Sequence, residues 1–100
     1  MNPDYVIACG LVWRKTGDPE AGWELLEALE SADPSVRAIA RLLLVDKGED
    51  SLLLLEDALV TGAINPATAS ECMAEIMRNR QVPQAARQIT SRHLFDVLLC

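Results

Sequence analysis

A chain of 100 residues, 50% apolar and 24% charged with five Gly and five Pro, suits one globular domain and excludes a disordered linker or low-complexity segment. A net charge of −6 disfavours generic binding to phosphate backbones, and the acids are concentrated early: residues 1–62 carry twelve acids and five bases, residues 63–100 three acids and four bases. Leu and Ala dominate while aromatics make up only 4%, which favours helices over a β-sandwich.

The opening "MNPDYVIACGLVWRKTGD" has an early acid and no basic leader, so it does not read as a secretory signal. Asn2-Pro3 sets a side-chain acceptor at an N-cap and proline at the first helical position, where its missing N–H costs nothing. A helix over 3–15 is predicted from there, stopped near Gly17. The break at Gly17-Asp18-Pro19 then leads into a second helix over 19–31. Asp33-Pro34 opens a third over 34–46, ended by Gly48, and "SLLLLEDALV" lies in a fourth over 50–61. That apolar run is cut by Glu56 and Asp57 and is far too short to span a membrane. Asn65-Pro66 opens a fifth helix over 66–79, and the break at Gln81-Val82-Pro83 a sixth over 83–98. No segment sustains the period-two alternation of a strand.

The Asx-Pro starts at residues 2, 33 and 65 are spaced by 31 and then 32 residues, so the chain divides into three helical hairpins near 2–32, 33–64 and 65–100. Aligned on their prolines, the blocks place Cys9, Ala40 and Cys72 at a sixth position that is always small. Trp13, Leu44 and Ile76 fall at a tenth that is always large. Fourteen residues on come Gly17, Gly48 and then Arg80, so the third block lacks its glycine stop. Each helix has too wide an apolar face to bury against its hairpin partner alone, which predicts stacking of adjacent hairpins. A six-helix bundle without repeats is the competing arrangement.

The middle block, Asp33-Pro34-Ser35-Val36-Arg37 followed by Ala40, Leu44 and Gly48, resembles the first helix of a HEAT repeat, in the short bacterial form known from phycobilisome lyases. The outer blocks keep only the skeleton of that motif. Arg37 has no counterpart, since Val6 and Ala69 stand at the equivalent positions, and the period is shorter than the roughly 40–47 residues of longer HEAT units. Neither the ankyrin nor the tetratricopeptide motif occurs. The resemblance implies an all-α fold: a right-handed α-α superhelix, or solenoid, of three stacked HEAT-like hairpins and about six helices in a single domain over 1–100. It also implies that second helices line the concave side.

Side chains capable of chemistry are sparse. Three cysteines without a Cys-x-x-Cys motif suggest a reducing, cytoplasmic setting; Cys9 and Cys72 share a repeat position with Ala40 and are expected in the core, and Cys100 is terminal. His93, the one histidine, has neither nucleophile nor orienting group near it in sequence, and no metal-ligand spacing or glycine-rich phosphate loop occurs. No enzyme activity, cofactor or metal is therefore expected. Arg78, Arg80, Arg87 and Arg92 form a basic cluster without interleaved aromatics, a thin basis for nucleic-acid binding.

The acids offer the candidate site. Glu20, Glu24 and Glu27 lie one turn apart opposite Leu25, Leu26 and Leu29, and Glu56 and Asp57 sit on the corresponding second helix of the next block. Together they form either a solvated helix face or a negative patch for a basic protein partner. Trp13 and Trp23 are expected to fill the first hairpin, although Trp23 beside the glutamates would make a binding anchor. The closing "HLFDVLLC" leaves apolar surface that folds back or joins subunits of a homo-oligomer. The expectation is a non-enzymatic protein-interaction scaffold. The alternatives are an accessory or lyase-like factor acting on a cofactor-bearing protein, as the resemblance suggests, and a structural oligomer. Neither nucleic acid nor membrane is expected as a partner.

Overall fold

A computed structural model of the chain describes residues 1–81, with side chains through Asn79. The sixth predicted helix, with Arg87, Arg92, His93, Cys100 and the closing apolar stretch, lies outside the described residues, as does the side chain of Arg80. Five helices account for most of the described chain: α1 (Pro3–Thr16), α2 (Pro19–Leu29), α3 (Pro34–Lys47), α4 (Glu49–Thr61) and α5 (Pro66–Gln81). No strand occurs among the described residues.

Local chemistry sets the helix starts. The side chains of Asn2, Asp18, Asp33 and Asn65 each accept a hydrogen bond from the backbone N–H two residues on, at 2.7, 3.0, 2.9 and 2.9 Å, and a proline follows each cap. Only α4 starts differently. Gly48 ends α3 and begins α4 with no side-chain cap, turning the chain within a single residue. Helix α5 continues to Gln81, consistent with an arginine standing where the first two blocks have a glycine stop.

Helix α1 packs on α2 and α3, and α2 packs equally on α3; α5 packs on α3 and α4, while the α2–α4 and α3–α4 contacts are slighter. The shared core takes Leu25 from α2, Leu44 from α3, Leu55 from α4 and Ile76 from α5, all fully buried. Alanine at such a position removes burial and leaves a cavity, at a cost of about 2–5 kcal/mol.

The expected packing positions are met at the tenth site, where Trp13, Leu44 and Ile76 are all buried. At the sixth site, Ala40 and Cys72 are buried but Cys9 is only half-buried. The reason lies one residue further along. Gly10 faces α3, and a Cβ there would collide with the side chain of Leu43. Helix α1 approaches α3 on that glycine, so its buried line runs Val6, Gly10, Trp13, and Cys9 turns toward a cleft.

Cys9 and Cys72 accordingly differ in burial. Burial pushes the Cys72 thiol up to about 11, with Arg41 opposing and Glu75 reinforcing that shift, so little thiolate forms near neutrality. Alkylation of the native chain at pH 8 followed by peptide mapping is expected to label Cys9 well before Cys72. Equal labelling would mean that the packing of α5 against α3 and α4 does not shield Cys72.

Candidate protein-binding surface

Charge is sorted by helix. Helix α2, PEAGWELLEAL, and helix α4, EDSLLLLEDALVT, contain seven acids and no base. Every Lys and Arg of residues 1–81 belongs to α1, α3 or α5. The ion pairs among the described residues follow the bases: Arg14 with Asp46 at 3.5 Å, Lys47 with Asp50 at 3.5 Å, and Arg41 with Glu71 at 3.8 Å and with Glu75. Asp50 is the one acid of α2 or α4 in such a pair. Glu20, Glu24, Glu27, Glu56 and Asp57 have no cationic partner among the described residues.

The structure brings some of these acids together and leaves others apart. Glu24 and Glu27 join Trp23, Leu26, Glu30 and Ala63 around a cleft of about 300 Å³. Trp23 is half-buried there, packed against the core with one side left on the cleft, so it is not the core filler that its apolar neighbours in sequence suggested. Glu30 is held in place, because its Oε1 accepts the backbone N–H of Asn65 at 2.6 Å and ties the α2–α3 turn to the start of α5. Glu20 and Glu24 line a second cleft, of about 340 Å³, with Tyr5, Ala8, Cys9 and Val12 of α1. Neighbouring Cys9, through hydrogen bonding and then charge, and next the charge of Glu24 raise the Tyr5 pKa above that of an ordinary phenol. Glu56 and Asp57 line neither cleft; they are exposed on α4, within the same exposed stretch as Leu53 and Val60, themselves 61% and 86% exposed. These residues recur at i, i+3, i+4 and i+7, which places acid and apolar side chains on one stripe of the helix.

Trp23, Glu30, Leu53 and Val60 thus extend the five acids read from the sequence. The seven-residue interval between Leu53 and Val60 was a signal for the last two, but a run of four leucines does not reveal which one faces outward. The arginine contacts are structural. The Nη1 of Arg37 donates to the carbonyls of Ser31 and Ala32 at 2.7 and 3.1 Å, closing the α2–α3 turn. Arg41 reaches across to α5, where its Nε donates to Glu75 and its Nη2 to the carbonyl of Glu71 at 3.4 Å.

Among the described residues no three His, Cys, Asp or Glu side chains are grouped to hold a metal ion, and no helix is long and apolar enough to cross a membrane. Comparison with protein-family models, curated proteins and solved structures finds no match for the chain.

Proposed function

We propose that the chain is a non-enzymatic scaffold of stacked HEAT-like hairpins whose second helices present an acidic face to a basic protein partner. The stacking reading is supported by the serial contacts of α1, α3 and α5, by the contact between α2 and α4, and by the Asx-Pro caps that recur at the block boundaries. The observation that carries the binding reading is the sorting of charge. Two adjacent helices hold acids without a single base, and of their seven acids only Asp50 is in an ion pair among the described residues.

On this reading Glu20, Glu24, Glu27, Glu56 and Asp57 steer a cationic segment and set its register, since exposed charges act mainly on encounter rate and partner choice. Leu53, Val60 and the open side of Trp23 supply the apolar area that converts encounter into residence. The partner is then an amphipathic segment carrying Lys or Arg beside aliphatic side chains.

The test is capture from native lysate, identification of the bound protein, and titration of that purified protein against variants. Reversing Glu24, Glu27 and Glu56 together to Lys is expected to weaken binding at least about tenfold and to flatten its salt dependence. Reversal of the exposed Arg78 to Glu should leave binding near the wild-type value. Equal binding by the triple variant and the wild type would remove the acidic face from the mechanism.

A further inference from the structure

We propose that the outer face of α1 is a self-complementary surface that pairs two copies of this chain antiparallel about a two-fold axis. One edge of this surface, at Tyr5, Ala8 and Val12, borders Glu20 and Glu24 of α2 across the second cleft; the rest of it is formed by α1 alone. Four of the nine large apolar side chains exposed among the described residues lie on this one helix: Tyr5 at 48%, Ile7 at 43%, Leu11 at 50% and Val12 at 43%. Helix α4 has two, and α3 and α5 one each. The opposite side of α1 is already occupied, because Val6, Gly10 and Trp13 are buried against the rest of the fold. Of the described helices only α2 and α3 make substantial contact with α1, so its outer face has no covering element among them. A solvated face of a short helix is ordinarily polar, and a concentration of this kind marks a contact surface.

The pattern of charge on that face selects a second copy as the occupant. Asp4 lies in the first turn of α1, and Arg14 and Lys15 in the last. Asp4, Ala8, Leu11 and Lys15 recur at i, i+4, i+7 and i+11, so they fall in one line along the helix. Crossed antiparallel over its own copy at the middle of this line, the helix sets Asp4 against the Lys15 of the second copy and Ala8 against its Leu11. On one edge of the face Ile7 then meets the Leu11 of the second copy, and on the other edge Val12 meets its Tyr5. Each match recurs in reverse, as a two-fold interface requires. Ala8 gives the small side chain that lets two helices approach closely. A parallel pairing would instead set Asp4 on Asp4 and Lys15 on Lys15. A uniformly basic or acidic foreign helix would satisfy one end of the face and be repelled at the other.

A single pair of helices buries less than the roughly 1,200 Å² typical of stable complexes, so the dimer belongs to the weak, concentration-dependent class. Two copies joined in this way would carry two acidic faces, which would raise the avidity for a partner with repeated basic segments.

Sedimentation of the full chain over micromolar to near-millimolar concentrations tests the proposal. A reversible monomer–dimer equilibrium is expected. Leu11→Asp should abolish it without lowering the melting temperature of the monomer, since Leu11 is half exposed there. Asp4→Lys and Lys15→Asp should each weaken dimerisation about tenfold, because each places like charges together twice across the axis, and the double variant should recover most of the loss. A chain that stays monomeric overturns the proposal, as does a dimer indifferent to Leu11→Asp or a double variant no better than the singles. A Leu11→Asp monomer of lowered melting temperature also overturns it, by showing that residues of the same chain cover this face.

Discussion

Replacing Trp13 by alanine is expected to cost about 3–5 kcal/mol of stability, a large share of what a domain of this size possesses. Trp13 is 4% exposed and joins four helices. From α1 its ring presses on α2 at Gly22, where an added Cβ would lie 2.9 Å from Cζ3 of the indole and 2.6 Å from Leu54. Its Nε1 donates to the Oγ of Ser51 on α4 at 3.2 Å, and Ser51 is itself fully buried. The ammonium of Lys47 on α3 stands 6.0 Å from the ring centroid while donating to the carbonyl of Arg14 at 3.0 Å. Alanine would open a cavity at the meeting of these helices and strand the serine hydroxyl. The melting temperature should fall by more than about 12 °C, measured by circular dichroism.

Two conservative variants separate packing from the hydrogen bond. Trp13→Phe keeps most of the ring but leaves Ser51 without its donor, and Ser51→Ala leaves the indole N–H without its acceptor. Each is expected to cost about 1–3 kcal/mol, the desolvation penalty of a buried polar group left alone. The double variant Trp13→Phe with Ser51→Ala removes both polar groups together, so its loss should fall short of the sum of the singles. A strictly additive result would show that the two side chains are not coupled in the folded chain.

What was legible in the sequence was local, and what was not depended on residues far apart. The Asx-Pro starts at residues 2, 33 and 65 could be read because a cap and the N–H it accepts are two residues apart, and all three are realised; Asp18 caps α2 in the same way at a position legible only as a break. The acidic faces of α2 and α4 could be read because helical periodicity needs only the helix itself. The turn of Cys9 out of the core could not, since it follows from Gly10 meeting Leu43 on another helix. Nor could the bond from Trp13 to Ser51, which spans 38 residues, or that from Arg41 to Glu75, which spans 34. Trp23 sits between these cases. Its place beside Glu24 is local, but its half-burial depends on Ala63 and the α4–α5 turn that close the cleft.

The glycine stops show the same division, and they lead to a second large expected effect. In sequence Gly17 and Gly48 are equivalent, each fourteen residues after a helix-opening proline. In the fold they differ. Gly17 has φ 67° and ψ 23°, the left-handed helical region, and Asp18 then caps the next helix. Gly48 has φ 71° and ψ −118°, a region closed to residues with a Cβ, and it alone separates α3 from α4. Space is not the constraint, because a Cβ at either position meets nothing within 4 Å. The penalty for Gly48→Ala is therefore one of backbone strain, about 2–3 kcal/mol. The residue cannot relax freely, since its N–H donates to the carbonyls of Leu44 and Val45 and its own carbonyl accepts from the N–H groups of Ser51 and Leu52. Gly17→Ala should cost only about 1–2 kcal/mol. Asparagine separates the two sites further, because it tolerates the left-handed helical region but not that of Gly48. Gly17→Asn is expected to recover most of the loss seen with alanine, and Gly48→Asn none of it, in parallel urea denaturations. Recovery at both positions would mean that the α3–α4 junction adopts an ordinary left-handed cap, and that α4 begins later than Glu49.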